Sequence, residues 1–327
     1  MNQGPSSIDT SLQDGGDQLD DDLQLLDFSH YPLPKKTKHT LRLFYNNING
    51  LEINIAVDTI LNNKKVKRKN NIIQDFDTYT KLEAFVKQIY TWDVDVSALA
   101  EPCIEWRDTI PRKIVKDIGK KYDRGGNWTV ATSSCYSSSF VKPGGALIYS
   151  AGQVSGKILE RGTDPWNQGR WSYVRYQGQA GASLMVIGAY RVGARSGIAG
   201  ASTAWHQQKV LLSQEKRVVE PEEAFLQDFE QWYRLKIQDK TEVIMFIDAN
   251  EQWTEQSKIR QMANNLQLVN LNIAGSYNSQ PRTPASLIDN GTLRLITVCV
   301  PAELWKLLIM PQWHLLICIR LETTGEC

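Results

Sequence analysis

Apolar runs in this chain repeatedly end in side chains that can hold a cation or handle a proton. LRLFY leads through Asn46 to Asn47 and Asn49, and VSALA leads to Glu101. SLMVIGAY closes on Tyr190 and Arg191, and VIMFI opens onto Asp248 and Asn250. Carboxylates, amides and a phenol are oxygen donors, which Mg²⁺ or Mn²⁺ prefer, whereas softer metals draw on His and Cys. Only four His are present. The five Cys (Cys103, Cys135, Cys299, Cys318, Cys327) form no CxxC pair. A multi-His centre, a zinc ribbon and a disulfide scaffold are therefore unsupported. A metal held by oxygens suits hydrolysis of a phosphate ester, where it polarises the phosphoryl oxygen and offsets growing charge. The chain has no GxSxG, no Ser-His-Asp order, no phosphate loop ending in Lys-Ser or Lys-Thr and no dinucleotide fingerprint. Taken singly, each residue has a plainer reading. An Asn at a strand end is commonly a turn residue, a Glu before Pro a solvated loop residue, and Asp-x-Asn a helix cap or Asx-turn. Their order and setting carry the weight.

The elements that must position these groups are mostly strands. The sequence predicts strands from Leu41, over Val94–Ala100, Trp128–Ala131, Ala146–Ser150 and Trp171–Tyr176, and over Ser183–Tyr190 and Val243–Ile247. The near-continuous apolar character of Ser183–Tyr190 is that of a strand buried on both faces. Glu222–Ile237 follows Pro221 and spaces Phe225, Phe229 and Tyr233 four apart, a helix whose aromatic stripe belongs to the core. A sheet whose strand ends gather polar groups on one rim builds a cleft on a rigid frame. The expected class is mixed α/β, with sheet packed on sheet.

Composition sets outer bounds. With 327 residues, 42% hydrophobic, 22% charged and a net charge of +1, the chain is neither a basic nucleic-acid coater nor an acidic solvating chain. Residues 1–38 are rich in Asp, Gln, Ser and Gly, with an acidic run at Asp20, Asp21 and Asp22, and are expected to be a disordered acidic tail. No secretory signal is visible, and a reducing compartment is the default. The run KKVKRK (Lys64–Lys69) could be a nuclear address or a phosphate-facing patch, with a solvated loop the plainer reading. His206 lies in a helix-like run and is assigned a structural role.

The order Asn47 in NINGL, Glu101 in LAEPCIEW, Tyr190 in GAYR, and Asp248 and Asn250 in FIDANEQW resembles the endonuclease/exonuclease/phosphatase superfamily, the deoxyribonuclease-I-like fold. The stretches PGGALIYSAG and AWHQQKVLL resemble its branch associated with mobile elements and reverse transcriptases. The resemblance spans about Leu41 to Leu271 and implies two packed mixed sheets flanked by helices, a four-layer sandwich over residues 39–280. It also implies Mg²⁺ or Mn²⁺ on Glu101 supported by Asn47, with Asp248 orienting and deprotonating water. Asn250 and Tyr190 would donate to the phosphate. Arg191 would either touch a neighbouring phosphate or form a structural ion pair. The implied partner is nucleic acid, DNA ahead of RNA, with no membrane and no obligate protein partner.

The family also carries a late Asp in an I-D-Y-type strand and a terminal Asp-His, and neither is readable here. His314 follows Trp313 rather than Asp. Leu304–Ile319 is apolar but interrupted by Lys306, Pro311 and His314, and falls short of the about 20 residues a membrane helix needs. A one-base shift of reading frame accounts for this. If Leu295, Ile296 and Thr297 are TTG, ATT and ACT after an Arg294 codon ending in A, the shifted codons read I-D-Y. Residues 281–327 are then expected to be an aberrant, poorly ordered tail, and the domain is expected to lack its last strands. Two rivals to nuclease chemistry stand beside it: a lipid- or sugar-phosphate phosphatase, because fold does not fix substrate, and an inactive mobile-element remnant that binds nucleic acid without cutting.

Overall fold

Period-two alternation in LRLFYNN builds the first strand, β1 (Thr40–Asn47), whose odd-numbered residues Leu43 and Tyr45 face one way and Phe44 the other. The computed structural model describes residues 36, 40–51, 81–122, 126–135, 141–178, 180–194, 200, 202–237 and 241–270. It describes 286–289, 292–301, 307–309 and 315–320 as backbone. The acidic N-terminal stretch apart from Lys36, the basic run at 64–69 and His314 lie outside the described residues.

Two mixed sheets form the centre. In the first, β1 runs parallel to β2 (Val96–Ala100), followed by β4 (Ala146–Ser150) and β3 (Asn127–Ala131), both joined antiparallel. The second repeats the pattern. There β8 (Thr241–Asp248) runs parallel to β7 (Ser183–Tyr190), followed by antiparallel β6 (Trp171–Gln177) and β5 (Ile158–Thr163). The strand bounds expected from sequence at 146–150 and 183–190 are those observed.

The domain was expected to lack the last strands of one sheet. In place of that gap, residues beyond 280 run along both sheets. The short β9 (Leu268–Asn270) and β10 (Ser286–Asp289) both pair with β11 (Thr292–Pro301), which lies antiparallel to β8. β12 (Leu307–Ile309) pairs with β13 (Leu315–Arg320), which lies antiparallel to β1.

The inner faces interleave Leu43, Tyr45, Val96, Ala98 and Ile148 with Val174, Tyr176, Val186, Ile244 and Phe246. The sheets approach closely at Gly188, where a Cβ would sit 3.2 Å from the Ala98 Cβ. Helices cover the outer faces. Phe44 meets Phe85 of α1 (Lys81–Thr91), and Trp128 roofs Gly119 of α2 (Thr109–Tyr122), where a Cβ would lie 2.9 Å from the indole nitrogen. Against the second sheet pack α4 (Pro221–Lys236) and α5 (Lys258–Asn265), which follow α3 (Ala204–Gln214) in the chain. Trp171 receives Phe225 and Phe229 edge-on at 5.7 and 5.2 Å, so the aromatic stripe of α4 is core. The order helix, sheet, sheet, helix is the four-layer sandwich expected. Among the described residues no helix is long and apolar enough to cross a membrane.

Candidate active site at the rim of the two sheets

Each sheet contains one parallel pair, and a parallel pair delivers both carboxyl ends to the same edge, where open α/β sheets bind ligands. β1 and β2 are in register at Asn47 and Ala100, so Glu101 follows one residue later. β7 and β8 are in register at Tyr190 and Asp248. Face-to-face packing brings the two ends together. Asn47 Nδ2 donates to Glu101 Oε2 at 3.0 Å and also to Asp248 Oδ2. The Tyr190 hydroxyl hydrogen-bonds the Glu101 carboxylate. Asn47, Glu101, Tyr190 and Asp248 thus form one cluster. Asn47 meets the carboxylates through its nitrogen, because its Oδ1 accepts the Asn49 N–H at 3.0 Å in an Asx-turn.

Asn250 and Arg191 form the next layer. Asn250 N–H donates to Asp248 Oδ1 at 3.2 Å, and Asn250 Nδ2 donates to the Arg191 carbonyl at 2.8 Å. Of the two readings of Arg191, the structure shows the ion pair. Its guanidinium is buried, with Nη1 donating to Glu251 Oε2 and to the Ala249 carbonyl, each at 3.0 Å, and Nε to the Glu222 carbonyl at 3.0 Å. Glu251 also accepts the Lys258 and Ile259 N–H groups at the start of α5. Arg191 therefore ties the segment carrying Asp248 to two helices. Arg191→Ala should cost about 2–4 kcal/mol by stranding buried carbonyls and Glu251, read as a lowered denaturation midpoint. An unchanged midpoint would refute the strut.

The backbone under Glu101 is fixed from both sides. Glu101 N–H donates to the Gly145 carbonyl at 3.1 Å, and its own carbonyl accepts Gly50 N–H at 2.7 Å. Glu101, Asn49 and Asn250 hold φ of +52°, +46° and +47°. Side chains seldom adopt that region, and such residues concentrate where a site is pre-organised. Gly145 has φ +94°, and a Cβ there would stand 2.8 Å from the Ala131 carbonyl oxygen. Gly145→Ala should therefore destabilise the fold by more than about 1 kcal/mol and shift the carbonyl that holds Glu101. Thermal melting checks the first effect.

Burial first, and then the Glu101 and Asp248 charges, hold the Tyr190 phenol far above its ordinary range, so it remains a proton-bearing donor. Burial likewise lifts the Cys103 thiol to about 11, with the Gly144 N–H opposing and the Glu101 charge adding. Beneath the cluster Tyr45 stacks on Phe246 at 5.4 Å. Its buried hydroxyl has no hydrogen-bond partner among the described residues and lies in the field of both carboxylates. Two carboxylates meeting at one amide, above an unpartnered hydroxyl, fit a hard divalent cation that completes its shell with water and phosphate oxygens. Among the described residues no three His, Cys, Asp or Glu side chains gather as a metal group, so the protein would supply few of the ligands.

Sequence reasoning passed over Tyr45 and Gly145. It also passed over Arg170, whose completely buried guanidinium pairs with Asp164 at 2.7 Å and Asp228 at 2.8 Å. The Arg170 carbonyl accepts the Tyr190 N–H at 2.8 Å, which links this network to the site. Gly-Arg-Trp carried no signal that its Arg is interior. His206 lies in the first turn of α3, where its N–H donates to the capping Thr203 hydroxyl.

No family model and no curated protein sequence matches the chain. Solved structures do. An AP endonuclease from Leishmania major superposes with a TM-score of 0.51 at 12% identity, over 88% of this chain and 92% of its own. An endonuclease/exonuclease/phosphatase family protein from Leptotrichia buccalis superposes with a TM-score of 0.50 at 10% identity, over 86% of this chain and 100% of its own. At these identities the likeness is one of fold: the chain has the deoxyribonuclease-I-like architecture of those proteins.

Proposed function

We propose that this chain is a divalent-metal-dependent phosphodiesterase that acts on nucleic acid in the manner of an endonuclease. The observation that carries the reading is the convergence of Glu101 and Asp248, from different sheets, on the single Asn47 amide. Glu101 would hold a Mg²⁺ or Mn²⁺ ion, which when bound would supply Lewis-acid polarisation of a phosphoryl oxygen. Asp248 takes a proton from the attacking water. Asn47 holds both carboxylates in place through its one Nδ2 group. The Tyr190 hydroxyl, whose one proton rests on the Glu101 carboxylate, turns that proton to the equatorial oxygens when phosphate binds and negative charge grows there. The Asn250 amide has two N–H groups. One is spent on the Arg191 carbonyl, which leaves the other to donate to the same oxygens.

The test is conversion of supercoiled plasmid to open circle by the full chain with Mg²⁺ or Mn²⁺, and its abolition by chelation. Release of phosphate from inositol phosphates with no effect on plasmid would assign the site to phosphatase chemistry instead. The remnant reading has one supporting observation. β11, the strand beside β8 and its Asp248, has the sequence TLRLITVCVP, which contains neither acid nor imidazole. Plasmid binding without any conversion under either metal would establish that reading.

A further inference from the structure

Helix α2 leaves the rim a few residues after Glu101 and carries an uneven charge. Its 14 residues include Arg112, Lys113, Lys116, Lys120 and Lys121 against Asp117 alone, in a chain whose overall balance is +1. At 100° per residue, Arg112, Lys113, Lys116 and Lys120 fall within about a quarter-turn of one another. Lys113, Lys116 and Lys120 are exposed and Arg112 is half-buried. None of the four forms an ion pair among the described residues. Lys121 stands on another side of the helix, where Glu83 of α1 neutralises it. The other side, with Pro111, Ile114 and Val115, is buried in the protein, as is Gly119, which adjoins Arg112.

The stripe is not explained by helix stability. Cations in the last turn favour a helix, but Arg112 and Lys113 stand near its amino end, where the macrodipole opposes them, and no acid occupies that first turn. A membrane partner is disfavoured because the apolar face that would enter a bilayer is already packed. The stripe spans about 12 Å along the axis, enough to meet several phosphates of one nucleic-acid backbone, and the helix that carries it starts at Thr109, in the segment that follows Glu101.

We infer that the exposed face of α2 carries the phosphate backbone of the nucleic acid flanking the scissile bond, so that the substrate is an extended polyanion rather than a small phosphate ester. This rests on the proposed phosphodiesterase reading of the rim. Neutralising phosphates releases counterions, with a slope of log K against log salt of about −0.9 per contact on duplex DNA.

The experiment is fluorescence anisotropy of a labelled duplex with the full chain from low to moderate salt. It compares the wild type with a fourfold variant, Arg112→Gln, Lys113→Gln, Lys116→Gln and Lys120→Gln. We expect the slope to shrink by about 2–4 and affinity at 0.1 M salt to fall at least about tenfold. Hydrolysis of bis(p-nitrophenyl) phosphate should be unchanged. The charge-keeping variant Lys113→Arg, Lys116→Arg and Lys120→Arg should retain the wild-type slope, which separates lost charge from lost structure. A fourfold variant with wild-type slope and affinity would overturn the inference and leave the rim reading intact. So would loss of binding to phosphatidylserine vesicles alone. Glu101→Gln that keeps full cleavage would overturn the rim reading whatever the stripe does.

Discussion

Glu101→Gln should lower metal-dependent plasmid nicking by at least about 10²-fold, the scale on which one charge-stabilising group in a pre-organised site acts. The change is nearly isosteric, so folding should survive it. What it removes is specific. The Glu101 carboxylate accepts from Asn47 Nδ2 at 3.0 Å and from the Tyr190 hydroxyl. A glutamine turns its NH₂ toward one of these donors, and the charge that would hold the cation is gone. Asp248→Asn should cost a similar factor by removing the group that receives the proton from water. Because both carboxylates share one amide, the double variant should be little worse than either single one, as expected for groups that act as a unit. Initial rates across a Mg²⁺ titration check this. Nicking that survives both substitutions at wild-type rates would place the chemistry elsewhere.

Arg170→Met should destabilise the fold by about 3–5 kcal/mol, because removal of one partner from a buried ionic network leaves uncompensated charge in the interior. Burial opposes the guanidinium charge, but Asp164 and then Asp228 more than compensate, so Arg170 stays protonated. Its Nε and Nη2 reach both oxygens of Asp164 at 2.7 and 3.0 Å, and Nη1 reaches Asp228 at 2.8 Å. The plane also lies 4.8 Å from the Trp171 ring. Asp228 keeps Arg217 at 2.7 and 2.8 Å after the substitution, whereas Asp164 keeps only backbone donors. The double variant Arg170→Met, Asp164→Leu should therefore recover part of the loss, measured as denaturation midpoints. A double variant as unstable as the sum of the singles would rule out the coupling.

The central strands were legible because each is short, apolar and bounded by polar residues. Ser183–Tyr190 declares itself by having almost nothing polar in it, and its burial on both faces explains why. The edge strand β5 gave no such signal. Its ILERGT alternates between partly covered and exposed positions and contains a glycine. Helix α2 also went unassigned. Pro111 and the β-branched Ile110, Ile114 and Val115 argue locally against a helix, but the proline falls in the first turn, where no hydrogen bond is lost. Asn47, Glu101, Tyr190 and Asp248 could be picked out because strand ends are marked in sequence. Tyr45 and Gly145 could not. Their importance depends on how closely the two sheets, or two loops, approach one another, and spacing along the chain does not encode that distance.

Asn47 and Asp248 are 201 residues apart, yet they share a hydrogen bond. At about 5–20 residues per second a ribosome needs about 10–40 s to travel from one codon to the other. Throughout that interval the emerging polypeptide owns half of a reaction centre, which by itself can do nothing. On the proposed reading, no nucleic acid near the ribosome can be cut until the second half has left the exit tunnel and docked.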